Sequence, residues 1–211
     1  MIKAILFDVD GVLLNSFDSN LEFVREFFIA TGYRPPTRKG YEPLFYVALR
    51  DVIAKITKMK DEKEIDRLLN FAKTHDFRTK DPLMMKGAYE TIELLSSVYK
   101  LGIVTSRVRV YLFDRPMDSL KPFFGTSVAY EDTKNHKPSP EPLLLAAKKL
   151  GTKPSEIVYI GDAGSDMLAA KAASMKFILF SRKMIKGADV QVKSFKDIPS
   201  VILKMSNGDK L

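Results

Sequence analysis

The sequence predicts an α/β protein: a doubly wound parallel sheet interrupted by an inserted block of helices. Three observations carry that expectation. Short apolar, β-branched runs recur along the chain and end at glycine, acidic or hydroxyl residues. Segments with three- and four-residue apolar spacing lie between them, the alternation of a parallel sheet. From about Phe17 to about Lys80 the alternation stops, and no convincing strand is found there.

The first strand is expected within Ile2 to Val9, a run apolar on both faces that stops at Gly11. The second covers Lys100 to Thr105, and the third Glu156 to Ile160 with Gly161 behind it. A fourth covers Lys176 to Phe180 and a weaker fifth Val190 to Val192. A helix over Gly87 to Tyr99 would bury Ala88, Ile92, Leu95 and Val98 as one stripe. Another, Glu141 to Leu150, would bury Leu144, Leu145 and Ala147 and stop at Gly151. An Ala-rich helix follows the third strand, over Ser165 to Ala173.

In the insert, Phe17 to Ala30 places Leu21, Val24, Phe27 and Phe28 on one side and ends near Gly32. Leu44 to Lys58 reads as a second helix. Asp61 to Thr74 reads as a third, with Asp61 as N-cap and Glu64 in the capping-box position. The prolines and glycines of GYRPPTRKGYEP mark a loop between the first two. The polar tail SNGDKL is expected to fray.

Composition narrows the chemistry. With 211 residues, 45% hydrophobic and 28% charged, the chain has the balance of a globular protein of one to two domains. It has no cysteine, which excludes disulfides and thiolate metal sites. His75 and His136 are its only histidines, too few for a multi-histidine zinc centre. The net charge of +8 fits a Lys-rich surface, an anionic small substrate or nucleic acid. The lysines are dispersed without a block of like charge, which favours the first and disfavours nucleic acid. No apolar run approaches a membrane span, and the N-terminus lacks a signal-peptide pattern. A cytoplasmic protein without membrane attachment is expected.

Acids and hydroxyls gather where strands end. Asp8 and Asp10 close the first strand, Thr105-Ser106 the second and Gly161-Asp162 the third, with Asp166 four residues on. Ligands of open parallel sheets bind beyond the strand C-termini. Burying carboxylates together there is costly without a cation. An all-oxygen donor set suits a hard cation, Mg²⁺ first.

With these residues in place, the sequence resembles the haloacid dehalogenase superfamily. Four motifs stand in the family's order: Phe7-Asp8-Val9-Asp10-Gly11-Val12; Gly102-Ile103-Val104-Thr105-Ser106; His136-Lys137-Pro138-Ser139-Pro140-Glu141; and Gly161-Asp162-Ala163-Gly164-Ser165-Asp166. The resemblance covers about Met1 to Phe180. It implies a Rossmann-like core of residues 1–15 and 82–211 with a helical cap domain of 16–81.

The resemblance also implies roles. Asp8 would be the nucleophile that forms an aspartyl-phosphate. Asp10 would be the general acid and base. Thr105 and the Ser106 backbone N–H would bind a phosphoryl oxygen. Lys137 would pair with Asp8 and the transferred group. Mg²⁺ would be held by Asp8, Asp162 and the Asp10 carbonyl oxygen, with Asp166 behind them orienting Lys137 or a metal-bound water. An acid at Asp10 separates the phosphatases from the dehalogenase and phosphonatase branches, which lack one.

The cap points to the phosphoglycolate phosphatase and β-phosphoglucomutase branch. There the loop between the first two cap helices reaches the active site. Here that loop is Thr37-Arg38-Lys39-Gly40-Tyr41, and Arg38 or Lys39 would meet a second anionic group of the substrate or simply be solvated. Val12 replaces the usual Thr, and Asn15-Ser16 an Asp-Ser pair. No Arg follows Lys39-Gly40 until Arg50, which counts against the mutase. Asp114-Arg115-Pro116 has no role in this pattern. The expectation is therefore a Mg²⁺-dependent phosphatase of a small phosphate ester, phosphoglycolate first, working as a monomer or homodimer. A phosphomutase and a catalytically idle binding module are the alternatives.

Overall fold

The computed structural model describes residues 1–75, 77, 80–182 and 184–207. Its first elements are β1 (Ala4–Phe7), β2 (Leu14–Asn15), α1 (Phe17–Ala30), α2 (Arg38–Tyr41), α3 (Leu49–Thr57) and α4 (Glu62–Thr74). Then follow β3 (Leu83–Met84), α5 (Ala88–Ser96), β4 (Lys100–Val104), β5 (Thr126–Val128) and α6 (Glu141–Leu150). The chain ends with β6 (Ile157–Gly161), α7 (Gly164–Ala172), β7 (Lys176–Phe180), β8 (Val190–Val192) and α8 (Ile198–Asn207). Two compact units result: Met1–Asn15 with Leu83–Leu211, and Ser16–Pro82.

The first unit is a six-stranded parallel sheet in the order β5-β4-β1-β6-β7-β8. From β1 the chain runs outward through β4 to β5, then crosses back beyond β1 to β6 and out to β8. The direction reverses between β1 and β6, and such a reversal opens a crevice at the strand C-termini. Asp8 and Asp162 stand at those two ends.

Side chains alternate across β1. Ile5 and Phe7 join a cluster with Ile92 and Leu95 of α5 and Ile198 and Ile202 of α8. Ala4 and Leu6 join the opposite cluster with Leu143 and Ala146 of α6 and Ala169 and Ala170 of α7. The sheet is thus covered on both faces, which is why its strands read as unbroken apolar runs. Among the described residues no helix is long and apolar enough to cross a membrane.

The second unit packs Leu21, Val24, Phe27 and Phe28 of α1 against Val52 and Ile53 of α3 and Ile65, Leu68 and Leu69 of α4. Asp61 caps α4 by accepting from the N–H groups of Lys63 and Glu64. The Glu64 carboxylate turns outward to Arg67, at 2.6 and 2.8 Å, so the capping box is only half made.

Several expectations are corrected. The loop before the second insert helix contains a short helix, α2, capped by the Thr37 hydroxyl. The helix expected from Leu44 begins only at Leu49. Aromatic and β-branched residues 45–47 favour helix weakly. Phe45 instead packs against the rings of Phe17 and Tyr41. Val98 is 71% exposed because α5 ends at Ser96 and the chain turns there toward β4. Leu144 is 42% exposed because α6 buries Leu143, Ala146, Ala147 and Leu150, an equally good helical stripe one residue away. Of the tail, Ser206 and Asn207 complete α8, and residues 208–211 lie outside the described residues.

Candidate active site

β1 hands the chain directly to the site. The Asp8 N–H donates to the Ile160 carbonyl at 2.9 Å, extending the ladder with β6 by one residue. Asp8 Oδ1 accepts from the Val9 N–H at 2.8 Å, which fixes the carboxylate plane. A tight turn follows, with Gly11 N–H donating to the Leu14 carbonyl at 2.9 Å. Gly11 adopts φ +78°, and a Cβ there would lie 1.9 Å from Asp162 Oδ2. Only glycine lets the turn after β1 and the acid after β6 approach so closely. Gly161 acts alike: a Cβ would lie 2.5 Å from that of Asp166, which folds back from α7 over the end of β6.

Lys137 gathers this group. Its Nζ lies 3.0 Å from Asp8 Oδ2 and 2.7 Å from Asp166 Oδ1. It also donates to the Tyr159 hydroxyl at 3.0 Å. The turn that presents it is closed by Ser139 N–H donating to the His136 carbonyl at 2.8 Å, and the His136 ring stacks on Tyr130. Asp166 is used on both oxygens. Oδ1 takes Lys137 and the Tyr159 hydroxyl, and Oδ2 takes the N–H groups of Asp162 and Ala163 at 3.2 and 3.1 Å.

Carboxylate oxygens of Asp8, Asp162 and Asp166 lie within 4.8 Å of one another. Burial is the main cause that pushes Asp8 up to about 7; Lys137 pulls the other way, and Asp166 and Asp10 add to the rise. Asp162 is pushed up to about 9, first by burial and then by Asp8 and Asp166. Burial also works against the Lys137 ammonium, but Asp166 and Asp8 more than offset it, and its pKa is raised. The Tyr159 phenol is raised well above its ordinary value, chiefly by burial and then by Asp166 and Asp8. Among the described residues, four carboxylates (Asp8, Asp10, Asp162, Asp166) stand near two cations, Lys137 and Arg107. Hard oxygen donors so arranged would suit a divalent cation, which would supply positive charge to the cluster. Asp8 and Asp162 are the donors best placed, since Asp166 is spent on Lys137 and the loop.

Asp10 stands apart from that cluster. Arg107 Nε and Nη2 donate to its two oxygens at 2.7 and 2.8 Å, a bidentate fork. Its side chain is therefore an ion-pair partner, so any contribution to a metal would come through its carbonyl oxygen. Thr105, buried just past β4, accepts on Oγ1 from the Arg107 N–H at 3.2 Å, which leaves its own proton to donate. Among the described residues the Ser106 N–H has no hydrogen-bond partner.

The structure thus brings together Asp8, Lys137, Asp162 and Asp166, and links Asp10 to Thr105 through Arg107. Arg38 and Lys39 belong to the helical unit. Arg38 pairs with Asp18 and lies 4.8 Å over the Phe17 ring, and Lys39 is exposed. Sequence reasoning missed Tyr159 and Arg107. The signal for Tyr159 was a single hydroxyl inside the apolar run of β6. For Arg107 it was a guanidinium two residues beyond the Thr that closes β4.

Known proteins match this chain over nearly its whole length. The profile of the haloacid dehalogenase-like hydrolases matches residues 5–180. Pyrophosphatase PpaX of Bacillus pumilus is 31% identical over 209 residues, covering 96% of this chain and 92% of that protein. A crystal structure of a candidate phosphoglycolate phosphatase from Lactobacillus plantarum superposes with a TM-score of 0.78 at 26% identity, over 95% of this chain and 99% of that one. The β-phosphoglucomutase of Clostridium difficile shares the fold, with a TM-score of 0.77 at 21% identity over 99% and 98%. Sequence, sheet topology and the carboxylate cluster agree, and this chain belongs to the haloacid dehalogenase-like hydrolases.

Proposed function

We propose that the protein is a Mg²⁺-dependent phosphatase of a small cytoplasmic metabolite and works through an aspartyl-phosphate on Asp8. The observation that carries this reading is the Asp8 carboxylate, buried and hydrogen-bonded on Oδ1, with Lys137 Nζ at 3.0 Å on Oδ2. A carboxylate so oriented is ready to attack phosphorus, and two easier steps replace one hard one. Asp8 and Asp162 would hold the cation, which when bound neutralises phosphoryl oxygens as charge develops on them.

The chain's own groups do the rest. Lys137, kept ammonium by Asp8 and Asp166, faces the transferred group with a fixed positive charge. The Thr105 hydroxyl and the Ser106 N–H donate to a phosphoryl oxygen. Asp10 protonates the leaving oxygen and then takes a proton from the attacking water. Water adds to phosphorus, the Asp8–phosphate bond breaks, and Asp8 returns to its starting state.

The substrate is a small phosphate ester or anhydride. Phosphoglycolate is one candidate. Inorganic pyrophosphate stands beside it because the 31% identical Bacillus pumilus relative is named a pyrophosphatase. The test is phosphate release from pyrophosphate, 2-phosphoglycolate, p-nitrophenyl phosphate and β-glucose 1-phosphate, with Mg²⁺ and with EDTA, wild type beside Asp8→Asn. Metal-dependent release lost in the variant is expected. Conversion of the glucose ester to its 6-phosphate without phosphate release would mean a mutase. No turnover of any compound would mean an idle scaffold.

A further inference from the structure

We propose that Arg107 is the receptor for a second anionic group on the substrate, close to the phosphoryl group transferred, and that Asp10 occupies this receptor until substrate displaces it. The inference rests on the phosphatase reading above, which puts Asp10 on the leaving-group side.

Four observations support it. The Arg107 backbone is pinned on both sides, its N–H by Thr105 Oγ1 at 3.2 Å and its carbonyl by the Tyr130 N–H at 2.9 Å. The guanidinium is therefore presented from a fixed base. Two of its five N–H donors are committed to Asp10, and among the described residues no other acceptor takes the rest. The pair is partly exposed, with side chains 17% and 20% exposed, whereas Lys137 is only 6% exposed. A guanidinium fork also matches carboxylate and phosphate oxygens better than any other side chain.

These facts assign different work to the two cations. Lys137 is enclosed by Asp8 and Asp166 and serves the transferred phosphoryl group. Arg107 is reachable from solvent and sits beside the residue that meets the leaving oxygen. A substrate anion arriving at the fork takes the place of the Asp10 carboxylate, and the released Asp10, no longer paired with a cation, takes up a proton from solvent. The exchange turns an Asp10 oxygen toward the leaving-group oxygen. Substrates without the second anion leave the fork closed on Asp10 and bind without that contact. Two kinds of compound carry the required chemistry: a phosphoanhydride, whose second anion is a phosphate, and a phosphoester of a hydroxy acid, whose second anion is a carboxylate.

The experiment compares wild type, Arg107→Lys and Arg107→Met on pyrophosphate, 2-phosphoglycolate and p-nitrophenyl phosphate, with kcat and KM separated. In Arg107→Met, the preference in kcat/KM for at least one substrate with a second anionic group over p-nitrophenyl phosphate should fall 30-fold or more, mainly through KM. Arg107→Lys should recover part of it. Whichever of pyrophosphate and 2-phosphoglycolate loses more identifies the second group as phosphate or carboxylate. Methylenediphosphonate binding in the presence of Mg²⁺, read by calorimetry, should weaken at least tenfold in Arg107→Met. An equal fall on all three substrates with unchanged methylenediphosphonate binding would overturn the proposal and leave Arg107 as a counter-ion of Asp10. No change in the preference or in binding would overturn it as well. Should wild type turn over none of the compounds, the phosphatase reading fails by itself, and the binding measurement still decides the role of Arg107.

Discussion

The Tyr159 hydroxyl sits 3.0 Å from Lys137 Nζ and accepts its proton, while its own proton lies between the Val104 carbonyl at 3.2 Å and Asp166 Oδ1 at 3.1 Å. One phenol thus ties the ends of β4 and β6 to the lysine that faces Asp8. Tyr159→Phe removes that tie while keeping the ring. Stability should fall by about 1–2 kcal/mol, the cost of a buried carbonyl and ammonium each losing a partner. We expect kcat to fall about tenfold with KM little changed, because the lysine is less firmly held. Thermal melts and steady-state kinetics read the two effects separately.

Lys137 itself stands between Asp8 and Asp166 and pairs with both. Lys137→Met should destabilise the metal-free protein by about 3–5 kcal/mol, since it strands buried carboxylates. Turnover should drop at least about 10³-fold. Urea unfolding with and without Mg²⁺ checks the first point: added metal should restore more stability in the variant than in wild type.

The raised pKa values give stability a sign. Asp8 at about 7 and Asp162 at about 9 bind protons in the folded state that the unfolded chain, with ordinary values near 4, has already released. Their contribution is full below the unfolded pKa and is lost as pH rises through the folded values. In EDTA the melting temperature should therefore fall between pH 5 and pH 9, roughly the window those values define. With saturating Mg²⁺ the fall should flatten, and Mg²⁺ binding near pH 7 should release protons. A melting temperature that does not fall with pH in EDTA would contradict the assignment.

Gly11→Ala tests the close approach of the two strand ends. The added Cβ would meet Asp162 Oδ2 at 1.9 Å on a backbone with φ +78°. Strain at that φ and displacement of Asp162 should together cost about 1–3 kcal/mol. Mg²⁺ affinity should fall at least tenfold, measured by calorimetry.

Much of this was legible in the sequence. β7 runs over the residues expected, because four consecutive apolar residues between turn signals admit few alternatives, and β8 shows as the shorter alternation Val-Gln-Val. The acids of the site stood at strand ends and were visible as such. What the sequence hid was short or ambiguous. β2, β3 and β5 have two or three residues each, too few for any period to show. On α6, leucines at 143, 144 and 145 permit two faces, and only packing against β4 and β5 chose between them. Tyr159 and Arg107 were hidden because their value lies in distant partners: Lys137 is 22 residues from Tyr159 and Asp10 is 97 from Arg107.

Asn15 and Leu83 are direct partners in the antiparallel pair of β2 with β3. Such partners lie about 4.5–5.5 Å apart, a gap that a two-residue turn closes. The whole of Ser16–Pro82 therefore stands where an ordinary hairpin bend would suffice. Excising it and splicing Asn-Gly in its place interrupts no strand of the six-stranded sheet. The insert thus enters and leaves the core through neighbouring positions on one short ladder, so a change in its length need not alter the register of the six-stranded sheet.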